Sequence, residues 1–229
     1  MRFRKQLALA GLVFGASTAA NGQRLPPGVG VEEVNLYARL LAMTDTRQLD
    51  TVLVGRALAS KWQPLRAAAT LAIGQIGAEP GLSGAGRLRA LLKDSDVTVA
   101  GNAAYALGLL RDSTAIGDLS AALTATRDVA REAAWALGEI GAAARAAIAA
   151  GLKTRKDPDA TIQLLLAAAK LRPVPVADVE PYLRSEHPSV VWAATYAVAR
   201  TRAPGGVRAL LDLEASPALS ATPQNPARP

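Results

Sequence analysis

The chain has 229 residues, enough for one or two domains with a sizeable core. Half of them are hydrophobic but only 4% are aromatic, so Ala, Leu and Val carry the apolar fraction. β-Branched runs of strand length are nearly absent, which predicts an all-α protein, and the lack of any cysteine excludes disulfides, thiol chemistry and a lipidated cysteine, leaving a formal net charge of +7.

In MRFRKQLALAGLVFGASTAANGQ, the first residues, Arg2, Arg4 and Lys5 precede an apolar run from Leu7 to about Ala16, and small residues follow. That layout predicts a secretory signal peptide over residues 1–22, cleaved between Ala19 and Gly22. A membrane-spanning helix needs about 20 apolar residues, and Ser17, Thr18 and Asn21 cut this run short. The mature chain is therefore expected in the periplasm or outside the cell, with residues 23–33 as an N-terminal linker. Removing the three positive charges leaves +4, which favours solubility and does not point to a polyanionic partner. Without disulfides, packing alone must hold an exported fold.

From residue 34 the chain repeats itself. Aligned on Gly138, the stretch REAAWALGEIG (131–141) has siblings in RAAATLAIGQIG (66–77), AGNAAYALGLLR (100–111), TIQLLLAAAKL (161–171) and VWAATYAVART (191–201). A fainter copy, YARLLAM, stands at 37–43. Gly74, Gly108, Gly138, Ala169 and Ala199 share one position at spacings of 34, 30, 31 and 30 residues. Each copy is followed by a break and a second helical run: GRLRALLKD, AIGDLSAALT, AAARAAIAAGLKT, VADVEPYLRS and GGVRALLDLE. Polar loops such as KDSDVT and RKDPDA lead onward, and their Asp or Ser residues can accept bonds from the free N–H groups of the next helix. One helical pair cannot bury its apolar face alone, so the pairs must stack into a solenoid over residues 34–213. The last stretch, 214–229, is Pro-rich without apolar periodicity and is expected to be a disordered tail.

The pattern V-R-x-x-A-A-x-A-L-G-x-I-G, met at Val129–Gly141 with one residue inserted, resembles the HEAT-like repeat of the phycobilin-lyase type. The resemblance implies an α-solenoid of about five to six helical hairpins whose second helices line the concave side. It also implies that Arg131, with Arg66 as its counterpart, pairs with an inter-repeat aspartate (Asp94, Asp96 or Asp128); a solvated arginine is the other reading. It says little about function, because such repeats serve many unrelated proteins.

Within a first helix, residues 133, 134, 137 and 140 fall on one face and should pack, and the glycine should end or tighten the helix. Leu71, Tyr105, Trp135, Leu166 and Tyr196 fall in register. An aromatic ladder for a ligand would need all of them aromatic and exposed. Leucine in two of the five copies favours a space-filling wedge between repeats, with Leu an acceptable replacement for Trp135.

Chemistry is hard to place. The single histidine, His187, lies in the loop SEHPSV and has no second ligand near it in sequence. The repeated His-Glu pairs of di-iron HEAT-like hydroxylases are missing, as is any G-x-S-x-G stretch. GLSGAGRLR (81–89) lacks G-K-[ST] and a preceding strand, so it is expected to be a loosened turn that explains the 34-residue spacing. Asp94/Asp96 and Asp157/Asp159 suit helix capping. No catalytic, metal or cofactor-binding residue is nominated and no cofactor is expected. Basic groups at Arg87, Arg89 and Lys93, at Lys153, Arg155 and Lys156, and at Lys170 and Arg172 are interleaved with acids, which together with export argues against nucleic acid.

These residues point to a non-enzymatic protein-interaction scaffold whose partner is a protein or extended peptide. Arg87, Arg89, Lys93, Arg145, Lys153, Arg155 and Lys156 would meet that partner, with Asp118, Asp178, Glu180 and Arg208 beside them and Trp135 as a further candidate. The alternatives are an accessory domain of a larger exported enzyme, such as a peptidyl-prolyl isomerase, or a phycobilin-lyase-like protein.

Overall fold

A computed structural model describes residues 29–77, 84–155, 157–200 and 205–214. The expected signal peptide, most of the N-terminal linker and nearly all of the Pro-rich tail lie outside them. The described residues are helical with no strand, as the composition predicts. None of the helices is long and apolar enough to cross a membrane. The chain divides into two compact units, Met1–Leu82 and Ser83–Pro229.

In the first unit, α1 (Val31–Thr46), α2 (Thr51–Leu58) and α3 (Gln63–Ile76) pack pairwise. Their cores follow helical spacing: Leu36, Leu40 and Met43 on α1, Leu53, Val54 and Ala57 on α2, and Leu65, Ala69 and Ile73 on α3. Asp50 caps α2, its carboxylate accepting from the Leu53 N–H at 2.9 Å. Thr70 is fully buried yet satisfied, since its hydroxyl donates to the Arg66 carbonyl at 2.8 Å.

The second unit begins with α4 (Gly84–Leu91) and continues as four helical pairs. These are α5 (Val97–Leu109) with α6 (Ile116–Ala122), α7 (Arg127–Ile140) with α8 (Arg145–Thr154), α9 (Pro158–Lys170) with α10 (Val176–Val179), and α11 (Pro188–Arg200) with α12 (Gly206–Glu214). Short 3-10 turns lead into α6 and α8, and another, Glu180–Arg184, prolongs α10. The first helices α5, α7, α9 and α11 lie against one another in that order, and the helices α4, α6, α8 and α10 each pack on the first helix that follows them in the chain. Equivalent positions are buried from copy to copy: Leu107, Leu137, Ala168 and Val198 on the first helices, and Leu92, Leu123, Leu152 and Leu183 at or just past the ends of the second helical runs. Each fully buried leucine contributes about 2 kcal/mol by removing its side chain from water. Asp96 and Asp157 cap α5 and α9, accepting from the Thr98, Val99 and Ala160 N–H groups at 3.0 Å, as the polar loops predict.

Local expectations are corrected at three places. The glycines at 108 and 138 do not end their helices; both are buried inside them. A Cβ on Gly108 would stand 2.8 Å from the Ala136 Cα and 2.7 Å from the Trp135 ring, and one on Gly138 would stand 2.8 Å from the Ala167 Cβ. The glycine is there because the next helix comes too close for a side chain. Helix termination falls three residues later, at Gly77 and Gly141, where φ is +92° and +79°. Arg111 occupies the equivalent place with φ +50°. The second correction concerns GLSGAGRLR: from Gly84 onward it is helix α4 and not a turn. Ile140, assigned to the packing face, is only half-buried.

Glycine replacements test this directly. Gly138→Ala is expected to lower unfolding stability by about 1–3 kcal/mol despite alanine's better helix propensity, because overpacking outweighs it. Gly117→Ala in α6, where a Cβ meets nothing within 4 Å, should be neutral or gain up to about 1 kcal/mol. Arg111→Gly relieves the left-handed backbone and should gain up to about 1 kcal/mol. Urea denaturation followed by circular dichroism measures all three.

Candidate functional site

The second helices of the second unit carry most of the basic candidates, and the structure puts several of them to work between repeats. On α4, Arg89 donates to the Thr114 hydroxyl at 2.9 Å and lies 3.8 Å from Asp118 at the start of α6. The Arg145 guanidinium on α8 donates to the Pro173 carbonyl at 2.7 Å, and Lys153 at the end of α8 lies 3.4 Å from Asp178 on α10. Tyr182 reaches back so that its hydroxyl donates to the Leu152 carbonyl. The two ion pairs are solvent-exposed in part and contribute about 0–1 kcal/mol each, so they align neighbouring repeats more than they stabilise them.

Arg155 is a different case. Its side chain is only 17% exposed and pairs with Asp157, the cap of α9. It braces a helix start and does not present itself to a partner, contrary to its assignment as a binding residue. Lys156 lies outside the described residues. Arg87 and Lys93 are exposed on and just after α4. Asp159, the other half of its acid pair, lies 3.4 Å from Arg127 across repeats, and Asp94 accepts from the Asp96 N–H at 2.8 Å. Arg131 lies 3.5 Å from Asp128, one of the three aspartates named for it, and 2.9 Å from Glu132, both on its own helix. His187 is exposed in the loop before α11. Among the described residues no group of three or more His, Asp or Glu side chains is placed to hold a metal ion.

The first helices present a second row. Tyr105, Trp135, Leu166 and Tyr196 are each half-buried, one per helix along α5, α7, α9 and α11. The Tyr105 and Trp135 rings stack across the helix boundary, with centroids 4.6 Å apart and planes 25° apart. The Lys170 ammonium sits 5.9 Å from the Trp135 ring and pairs with Glu139, which also lies 3.8 Å from Arg111. At the far end Trp192 stacks on Tyr196 at 5.5 Å, and Arg200 donates to the Tyr196 hydroxyl at 2.5 Å. Trp135 thus fills space over Gly108, as the register predicts, while part of its surface stays open. Leucine is a poorer replacement than the alignment suggests, since it could not stack on Tyr105 or face Lys170. Sequence reasoning passed over Trp192, whose signal is its place one helical turn before Tyr196.

Residues 51–138 match the family model described as HEAT repeats. Among solved structures, the chain is similar to an engineered protein from the Northeast Structural Genomics Consortium, with a TM-score of 0.52 and 22% identity over 73% of this chain and 86% of that one. The likeness is one of fold. Comparison with curated proteins gives no match. The fold is all-α and HEAT-like, and the second unit is a solenoid of stacked helical pairs.

Two measurements follow from these contacts. Trp135→Leu should lower stability by about 1–3 kcal/mol, the sum of lost aromatic area and the lost stack. Burial raises the Tyr182 pKa above its ordinary 10.0, so the folded chain holds that proton more tightly than the unfolded one. The associated stability is complete below pH 10 and is lost as pH rises beyond it. Tyr182→Phe should cost about 1 kcal/mol near neutrality and flatten the alkaline fall in a plot of melting temperature against pH.

Proposed function

We propose that the chain is a non-enzymatic scaffold of the cell envelope that binds a protein or an extended peptide along the first-helix row of its second unit. The observation that carries this reading is the row itself: Tyr105, Trp135, Leu166 and Tyr196, half-open and in register on four successive helices. Aromatic and leucine side chains partly freed from their neighbours supply apolar contact at low entropic cost. Glu139, Lys170 and Arg200 beside them supply charge of both signs, which suits a polypeptide better than a uniformly charged polymer. A long, repetitive surface of this kind fits an extended partner in preference to a small metabolite.

The second-helix face is the weaker candidate, because Arg89, Arg145 and Lys153 already reach the following repeat. Export rests on the charge-then-apolar layout of residues 1–22. Intact-mass analysis of the chain purified from an envelope fraction should find it beginning between Ala20 and Gln23. A photo-crosslinking residue placed at Leu166 or Leu109 should capture one discrete envelope protein in living cells, and the same residue at Ala121 on the second-helix face should not. Equal labelling of both faces, or no protein adduct on either, would count decisively against the first-helix row as the binding face.

A further inference from the structure

The first-helix row is rich in hydrogen-bond donors and short of free acceptors. A Cβ on Gly108 would stand 2.7 Å from Cζ3 of Trp135, so the six-membered ring of the indole is turned down onto α5. The indole N–H lies on the opposite edge. Tyr105 is half-buried and stacks on that indole. Among the described residues neither the Trp135 N–H nor the Tyr105 hydroxyl makes a hydrogen bond, and both atoms are open to solvent. Lys170 and Arg200 add charged donors on α9 and α11. The carboxylates of α7 beside the row are already engaged, Glu132 by Arg131 and Glu139 by Arg111 and Lys170. Because the row is carried on helices, whose backbone groups are paired internally, it has no open edge on which a strand could be added.

The pitch of the row narrows the choice further. Its side chains recur once per first helix, and helices packed side by side stand about 8–10 Å apart. One polyproline II turn of three residues advances about 9.3 Å, whereas two strand residues advance about 6.6 Å and an α-helical turn about 5.4 Å. Polyproline II alone keeps step with the helices. We propose, resting on the first-helix row as the binding face, that its occupant is a proline-rich segment of a partner protein in the polyproline II conformation, one residue in three seated over each successive first helix. Proline has no N–H, and polyproline II makes no internal hydrogen bonds, so such a segment is rich in free carbonyl acceptors and poor in donors. The Trp135 N–H, the Tyr105 hydroxyl and the Lys170 ammonium supply what those carbonyls need. The pyrrolidine rings cover the open parts of Tyr105, Leu166 and Tyr196. A segment already held in its bound shape loses little entropy on docking. Three intervals separate α5 from α11 along the row, so about ten residues span it.

Fluorescence polarisation of the full chain with a fluorescein-labelled oligoproline of about twelve residues should show saturable binding, and a labelled Gly-Ser peptide of equal length should show none. Trp135→Phe and Tyr105→Phe each delete a donor and keep a ring. Each should raise the dissociation constant by roughly threefold to tenfold with an unchanged circular dichroism spectrum. Arg87→Ala, at an exposed position on α4, should leave it unchanged. Oligoproline that fails to bind, while a photo-crosslinker at Leu166 still captures an envelope protein, overturns the polyproline II occupant and leaves the row as the binding face. Failure of both removes the row itself. Equal affinity for the Gly-Ser peptide, or donor deletions without effect, also overturn the proposal. The chain carries its own prolines in a register of three, at Pro223, Pro226 and Pro229. Oligoproline that binds only after those three are replaced by alanine overturns the partner as occupant and assigns the row to this chain's own segment.

Discussion

In the second unit, the distance between successive first helices sets the terms for nearly every other residue. Where α5 meets α7 and α7 meets α9, backbone lies against backbone, with Gly108 under Ala136 and Gly138 under Ala167. Space so narrow admits only small residues, and this accounts for alanine at buried positions 103, 104, 106, 133, 134 and 136. The larger apolar side chains are displaced to the layer between the first helices and the second helices, where Leu107, Leu137, Ile148 and Leu152 are fully buried. An alanine-rich, aromatic-poor composition is thus a consequence of helix spacing. Such a core gains little per residue from hydrophobic burial and depends on close packing to make up the difference.

The second helices solve the opposite problem. Neighbours there are bridged by long polar side chains, from Arg89 to Asp118, from Arg145 to the Pro173 carbonyl and from Lys153 to Asp178. Contact through the ends of flexible cations tolerates changes in separation that a glycine–alanine contact does not. The second-helix layer also has one close contact of its own, since a Cβ on Gly151 of α8 would stand 2.8 Å from the Leu123 side chain.

The repeat, the all-α class and the caps at Asp50, Asp96 and Asp157 were legible in the sequence because each depends on residues close together in the chain. Register shows which residues are equivalent, as with Gly108 and Gly138, but it does not show what lies opposite them. Periodicity therefore located these glycines correctly and mistook their purpose. The partners of Arg89, Arg145 and Lys153 lie 25 to 29 residues onward and depend on inter-helix distances that no local pattern encodes. Of the three aspartates named for Arg131, the one on its own helix is the one it meets. Two carboxylates within its own helix, at Asp128 and Glu132, are reached without crossing to another repeat.

A repeat protein makes one inference available that an aperiodic fold does not, because the same position is observed in several environments within one chain. Glycine, arginine, isoleucine and tryptophan all occupy the position of Trp192, and among the described residues only that of α11 has no further first helix beside it. Tryptophan is poorly matched to the interior of this stack, where the equivalent Gly101 lies within contact distance of Glu132, and poorly matched to water as well. Its half-stacked arrangement on Tyr196, with Arg200 completing the cluster, covers one side of the ring and leaves the other open. Trp135 shows the alternative outcome, a tryptophan stacked on Tyr105 from the preceding helix and faced by Lys170 of the following one. The difference between the two lies in the neighbours each ring has among the described residues.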